Sequence, residues 1–177
     1  MARCLLVIAL GVLAAIASSA ATVATISPVC DAAEHHQLDF WIADWDAFDA
    51  DSPNGPPVAR THVDRIAQGC GLHELYEQED GLVGDSILSY DAARRQWQQT
   101  WITNRGSLMT IAGTFSDGRL VLEGEVHRGD GGVAVQRISW HAEGDGVRES
   151  ALISRDQGKT WSPAFDVIFR RHQASRP

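Results

Sequence analysis

The chain has 177 residues, 15 of them basic and 23 acidic, which gives a formal net charge of −8 at pH 7. With Lys159 as its single lysine, the sequence has no basic patch that would neutralise phosphates, so its composition argues against nucleic acid and anionic membranes as partners. The length suffices for one domain with a hydrophobic core.

The first twenty residues are typical of a secretory signal peptide. Arg3 supplies the positive charge, an apolar run covers residues 4–17, and a small-residue exit, Ser-Ser-Ala, ends at Ala20. The run is too short for a membrane span, and the alternative is a buried N-terminal helix. We therefore predict a signal peptide over residues 1–20, an N-terminal arm over 21–37, and a bacterial protein that is periplasmic or extracellular and has no membrane span after cleavage.

Two cysteines, Cys30 and Cys70, remain after the predicted signal peptide. An oxidising compartment allows such a pair to form a disulfide, which would attach the N-terminal arm to the body of the protein. The alternative is that both are free thiols.

The segment HQLDFWIADW predicts a short helix at the start of the fold. Leu38, Trp41, Ile42 and Trp45 follow the i, i+3, i+4, i+7 spacing of an amphipathic helix of one or two turns. The following ADSPNGPP is rich in proline and glycine and predicts a turn.

From residue 59 onward the chain is a succession of short segments with period-two alternation, separated by glycine, aspartate and asparagine. Nine segments of this kind can be read: ARTHVDRIA, LHELYE, DSILSY, WQQTWIT, SLMTIAGTF, LVLEGEV, VAVQRISWHA, VRESALIS and PAFDVIFRR. A tenth is an option at residues 45–49. This order predicts an all-β, antiparallel up-and-down barrel of about nine to ten strands over residues 38–171, followed by a tail over 172–177. A two-sheet sandwich is the alternative. About ten strands would enclose a cavity for a small ligand.

The segment SRDQGKTW resembles the Asp-box of sialidase propellers. Ser154 and Asp156 can accept backbone N–H groups of a tight turn, Gly158 can adopt a positive φ, and Trp161 can fold across the hairpin. A propeller needs several such boxes in a longer chain. We therefore interpret the motif as a structural turn and exclude a sialidase.

Several segments together resemble one family. LDFWIADWD, QGCGLHELY, GDSILSYD, WQQTWI and SRDQGKTW are similar to the bacterial domain-of-unknown-function family 1579, over about residues 30–171. The resemblance implies a secreted, calycin-like barrel related to lipocalins, with no known catalytic residues to transfer. Asn104 stands where an aspartate is common in that family. The lipocalin relation also implies that Trp45 packs against Arg170 or Arg171 at the barrel base.

One face of two predicted strands has the composition of a ligand pocket. Glu74 and Tyr76 share a face, as do Gln99 and Trp101 on another strand. If Glu74 is buried, desolvation favours its protonated form and makes it a candidate general acid or base. The alternative is that Glu74 pairs with Arg137 or lies outside in water. The candidate ligand-binding residues are Glu74, Tyr76, Ser86, Gln99, Trp101 and Arg137.

The sequence predicts neither a metal nor a cofactor. The seven histidines show no HxH, HxxxH or HExxH spacing, and only His141 and His172 lie late enough for a haem-binding position. No nucleophile motif such as Gly-x-Ser-x-Gly occurs.

Three functions remain open at this stage. The first is a barrel that binds a small, partly apolar molecule in its lumen. The second is an enzyme on the same barrel, a lyase, isomerase or hydrolase, with Glu74 as acid or base and Arg137 as anion stabiliser. The third is an envelope protein-interaction module, which would have a filled lumen and an exposed apolar patch.

Overall fold

The computed structural model describes residues 30–173, which form a closed barrel of ten antiparallel strands in up-and-down order. The strands are β1 (Asp44–Asp49), β2 (Ala59–Ile66), β3 (Gly71–Gln78), β4 (Val83–Asp91), β5 (Gln96–Thr103), β6 (Leu108–Ser116), β7 (Arg119–His127), β8 (Val133–Glu143), β9 (Gly146–Ser154) and β10 (Ser162–Arg171). The predicted all-β barrel is confirmed, and the tenth segment is a complete strand. The predicted signal peptide lies outside the described residues.

The first and last strands close the barrel. β1 and β10 pair antiparallel from Trp45 opposite Arg171 to Asp49 opposite Val167. Because every strand thus has two hydrogen-bonded neighbours, the sheet has no free edge. The alternative of a two-sheet sandwich is therefore wrong. The pairing extends past β10, because the backbone N–H of His172 donates to the carbonyl of Asp44 at 2.9 Å.

The N-terminal helical segment is present, but it differs from the prediction. It consists of two short 3₁₀ turns, Ala33–His36 and Asp39–Trp41, and the chain is already extended at Ile42. Trp45 therefore lies in β1 and not on the helix. Trp45 continues the helical spacing of apolar residues, but the hydrogen bonds that β1 makes to β2 and β10 hold this residue in an extended conformation.

These turns seal one end of the barrel, which we call the base. Trp41 stacks on Trp45 with ring centroids 5.6 Å apart and meets the edge of Phe169 at 4.6 Å. The Trp45 indole N–H donates to the Trp41 carbonyl at 2.9 Å, and all three aromatic side chains are buried. Leu38 is buried with them. The base is thus a packed apolar core.

A disulfide joins Cys30 to Cys70, as predicted. Cys70 directly precedes β3, so the bridge ties the start of the described chain to the connection between β2 and β3. The Ser89 hydroxyl donates to the Cys70 carbonyl at 3.0 Å and fixes this connection to β4. Within residues 30–173, no helix has the length and apolarity that crossing a membrane requires.

Candidate functional site

The barrel encloses a cavity of about 780 Å³. Alternate residues of the strands point into it, because successive side chains of a strand face opposite sides of the sheet. Near the base the cavity reaches Phe169 and Ile138, and at the opposite end, the mouth, it reaches Arg105 and Arg128. A volume of this size suits a small organic molecule.

Glu74 of β3 lies inside the barrel. It lines the cavity and is only 5% exposed. Burial raises the pKa of its carboxyl to about 7, although a hydrogen bond from Thr61 and the charge of His73 lower it. Glu74 therefore neither pairs with Arg137 nor lies in water, which were the alternatives at the sequence level.

The Thr61 hydroxyl is shared between the Glu74 carboxyl and a backbone carbonyl. The Thr61 hydroxyl oxygen lies 3.1 Å from Glu74 Oε1 and 2.9 Å from the carbonyl oxygen of Leu75. A hydroxyl has one proton and can donate fully to only one of these acceptors. Because the Thr61 hydroxyl also serves Leu75, it offsets only part of the desolvation of the Glu74 carboxylate, and the pKa of Glu74 stays raised.

A second carboxyl, Glu149 of β9, faces the same cavity. Burial and the neighbouring Glu74 carboxyl raise the pKa of Glu149 well above its usual range, and a hydrogen bond from the Trp140 side chain lowers it. Trp140 is the residue directly opposite Glu149 in the β8–β9 ladder. The cavity thus holds two electrostatically coupled carboxyl groups.

Sequence reasoning missed Glu149, although the segment VRESALIS contained a signal for it. Val147, Glu149, Ala151 and Ile153 share one face of β9, and Val147 and Ala151 are fully buried. A carboxylate between two apolar residues on an inward face is unusual enough to mark a site. The residue was overlooked because it was read only as part of a strand.

Gln99 of β5 leaves one polar atom without a partner. Its Nε2 donates to the Ser86 hydroxyl oxygen at 2.9 Å, and both side chains are buried. Its Oε1 is buried and accepts no hydrogen bond from the described residues. Because an unpaired buried acceptor costs free energy, Gln99 Oε1 is a natural contact for a bound molecule.

Tyr76 and Trp101 form an aromatic wall of the cavity. Their rings meet edge to face with centroids 5.9 Å apart. Gly84 makes room for this arrangement, because a Cβ atom at its position would lie 2.2 Å from the Trp101 ring. Burial raises the pKa of the Tyr76 hydroxyl, and the charges of Glu149, Glu74 and Asp80 raise it further. Tyr76 is therefore neutral at physiological pH.

Arg137, the remaining candidate, lies on the outer face of β8. Its Nε donates to Glu123 at 2.7 Å, and its guanidinium lies 4.1 Å from the ring centroid of Trp161. The prediction that Arg137 faces the lumen is wrong. Ile138 and Gln136, its neighbours in the chain, line the cavity instead. Of the six candidates, Glu74, Tyr76, Gln99 and Trp101 line the cavity, and Ser86 is buried behind Gln99.

The residues proposed for structural roles lie at the two ends of β10. Before it, the Ser154 hydroxyl donates to Asp156 at 2.7 Å and accepts the Gly158 N–H at 2.8 Å, while Gly158 has a φ of 85° and Trp161 donates to its carbonyl. Two hydrogen bonds from Thr160 and one from Ser154 lower the pKa of Asp156 to about 2.

At the end of β10, the two arginines have different contacts. Arg171 lies 4.8 Å from the ring centroid of Trp45, whereas Arg170 lies over Phe48 and donates to the carbonyl of Pro53. Arg171, and not Arg170, therefore has the contact with Trp45 that the resemblance implied.

The two late histidines lie away from the lumen. His141 lies 3.5 Å from Glu143, and His172 pairs with Asp46 at 2.9 Å. Neither lines the cavity. Among residues 30–173, no three or more histidine, cysteine, aspartate or glutamate side chains converge as metal ligands.

No protein family model matches this sequence, and no curated protein does. The resemblance to family 1579 stays a prediction. The function proposed below therefore rests on the structure of the lumen.

Proposed function

We propose that this protein binds a small, partly apolar molecule in the lumen of its barrel. The observation that carries the proposal is Gln99, which lines an open cavity of about 780 Å³ and whose buried Oε1 accepts no hydrogen bond from residues 30–173. Apolar walls with a few convergent polar groups are the usual composition of a small-molecule site. A bound molecule would remove apolar surface from water and satisfy Gln99.

The compartment that fits this function is the periplasm or the exterior of the cell. The Cys30–Cys70 disulfide supports it, because such bridges persist in oxidising compartments. The predicted signal peptide over residues 1–20 supports it as well. We propose membership of the calycin-like family 1579 on the sequence resemblance alone.

Native mass spectrometry of protein isolated from its own compartment tests the binding function. We expect a mass increment of a small molecule that disappears on denaturation. The matched variants are Ile153→Trp, which places an indole in the lumen, and Leu152→Trp, which places it on the exposed outer face of the same strand. Retention by wild type and Leu152→Trp, with loss in Ile153→Trp, supports lumenal binding. Equal retention in all three places the molecule outside the lumen and overturns the proposal.

An acid–base enzyme is the second candidate function, and the coupled pair of Glu74 and Glu149 favours it. A carboxyl whose pKa is about 7 can accept and donate protons near neutral pH. Arg137 cannot stabilise an anion in the lumen, because it lies outside. A Glu74→Gln variant that retains the molecule but no longer converts it would favour the enzyme over simple binding.

The interaction module fits the barrel less well. It requires a filled lumen, whereas this lumen contains an open cavity. Six large apolar residues between positions 30 and 173 are exposed, and some are neighbours, such as Ile102 of β5 directly opposite Leu108 of β6. They do not supply the broad apolar surface that a stable partner would cover.

A further inference from the structure

Several hydrogen-bond acceptors border the inner part of the lumen. Glu74, Glu149 and Gln99 Oε1 are the acceptors that face or border the cavity there. Two of the nearby donors are engaged, since Gln99 Nε2 donates to Ser86 and the Trp140 side chain hydrogen-bonds to Glu149, whereas the Tyr76 hydroxyl and the Gln136 amide also line the cavity. A molecule that satisfies this set must itself bring several N–H or O–H groups.

The charged side chains around the lumen also favour a ligand that donates hydrogen bonds. Among residues 30–173, no lysine, arginine or histidine nitrogen lies within 4.0 Å of a carboxylate oxygen of Glu74 or Glu149, so neither glutamate forms an ion pair. The arginines of the mouth are already paired, Arg105 with Asp80 and Arg128 with Asp130. Two carboxyl groups that line one desolvated cavity are costly to ionise unless a positive charge compensates them.

The aromatic wall suits a cation as well. Tyr76 and Trp101 both line the cavity that contains the two carboxyls, and their rings meet edge to face there. A cation near the face of such a ring is attracted by the ring quadrupole, most strongly where water is excluded. Met109, Val167 and Ile138 supply apolar wall beside polar lining residues such as Thr103 and Gln136.

We propose that the lumen binds an organic cation, a protonated amine on an apolar body, with the ammonium group held by Glu74, Glu149 and Gln99 Oε1. A primary ammonium has three N–H donors, which matches these three acceptors. The apolar body lies along Trp101 and the apolar walls towards the mouth. This inference rests on the proposed lumenal binding and names the chemical class of the ligand.

Three probes with one naphthalene body and different head groups test the inference. They are 2-naphthylmethylamine, 2-naphthalenemethanol and 2-naphthoate, titrated into the protein at pH 8 by calorimetry. We expect the amine to bind at least about tenfold more tightly than the alcohol, and the carboxylate to bind most weakly. If the alcohol or the carboxylate binds as tightly as the amine, the cation inference is overturned while lumenal binding stands. If none of the three binds, both proposals fail.

Single substitutions assign the preference to the two carboxyls. Glu74→Gln and Glu149→Gln should each reduce the ratio of amine to alcohol affinity by about tenfold, while binding of the alcohol shows that the lumen is intact. Glu125→Gln, on the exposed outer face of β7, is the matched control and should leave the ratio unchanged. An unchanged ratio in both lumenal variants would overturn the role assigned to the carboxyls.

Discussion

The two ends of the barrel are built from the same strands but have opposite characters. At the base, Leu72, Trp97 and Val147 are fully buried in a packed core. Two residues further along the same strands, Glu74, Gln99 and Glu149 face an open cavity. On each of these strands, the next inward-facing residue after the core residue therefore lines the cavity. In this fold, the packed core and the proposed binding cavity are divided along each strand and not between strands.

The difference arises from what covers each end. The 3₁₀ turns of the N-terminal segment fill the base, where Trp41 contacts Trp45 and Phe169. No described segment fills the mouth, and Gly84 leaves the space that Trp101 occupies there. The free energy gained by packing the base can thus offset the cost of burying Glu74 and Glu149 towards the other end. Substitutions at the two ends should therefore differ in their effect on stability.

The largest expected effect is on the base. Trp45→Ala should lower the free energy of unfolding by about 3–5 kcal/mol, because it leaves a cavity beside Trp41 and removes an indole hydrogen bond. Trp101→Ala removes the same side chain from the partly open lumen and should cost less than half as much. Urea unfolding followed by far-UV circular dichroism measures both. Equal losses would show that the two ends contribute alike.

The disulfide should have the next largest effect. Replacing both Cys30 and Cys70 by serine removes a bridge between residues 40 apart in the sequence, which should lower the free energy of unfolding by about 2–4 kcal/mol. The base should loosen before the mouth, since the bridge holds the segment that leads into the 3₁₀ turns. Hydrogen exchange would detect this order. Uniform loss of protection would argue against a selective role at the base.

The free energy of unfolding should depend on pH, because Glu74 is buried in the lumen. The raised pKa of Glu74 means that the folded protein keeps a proton that the unfolded chain loses above about pH 4.5. Stability should therefore fall as the pH rises from about 4.5 to 7, by on the order of 2–3 kcal/mol from this group. Glu149, His73 and Tyr76 are the titratable groups that face Glu74 or influence it.

Thermal unfolding of wild type and Glu74→Gln at pH 5 and pH 8 isolates the contribution of Glu74. The variant should gain stability relative to wild type at pH 8 and show little gain at pH 5. Glu125→Gln on the outer face serves as the control. A parallel pH dependence in wild type and Glu74→Gln would mean that Glu74 titrates normally in the folded protein.

The smallest expected effect concerns the guanidinium over Trp45. Arg171→Met should lower the free energy of unfolding by about 0.5–1 kcal/mol, because it removes an exposed cation–π contact. In a Trp45→Ala background the same substitution should cost nothing further. A loss that persists in that background would assign the effect of Arg171 to other contacts.

The barrel could be predicted because the information for it is local. Period-two alternation between turn residues identified the strands, and the absence of helices between them implied antiparallel order. The SRDQGKTW turn could be predicted for the same reason, since its hydrogen bonds lie within the motif. The helix over residues 38–45 was wrong at Trp45, because the spacing there does not reveal the pairing of β1 with a strand more than a hundred residues away.

The site could be predicted only in part. Glu74, Tyr76, Gln99 and Trp101 were found because their own strands alternate clearly. Arg137 was misplaced as a lumen candidate and anion stabiliser, although the alternation of β8 places the buried Ile138 and Trp140 on the inner face and Arg137 on the outer one. The sequence does not predict that the Glu74 carboxyl raises the pKa of Glu149. This effect depends on the curvature of the sheet, which places β3 and β9 across the lumen from each other.

The seam between β1 and β10 has a consequence for how the chain acquires its structure. All other neighbouring strands are consecutive in sequence, so hairpins can form one after another, whereas this seam joins the two ends of the described chain. Closing so long a loop is entropically costly and tends to slow folding. We expect the seam to form last and the acidic lumen to stay accessible to water until then, an order that pulse-labelling of the Phe48 and Ile168 amides during refolding would reveal.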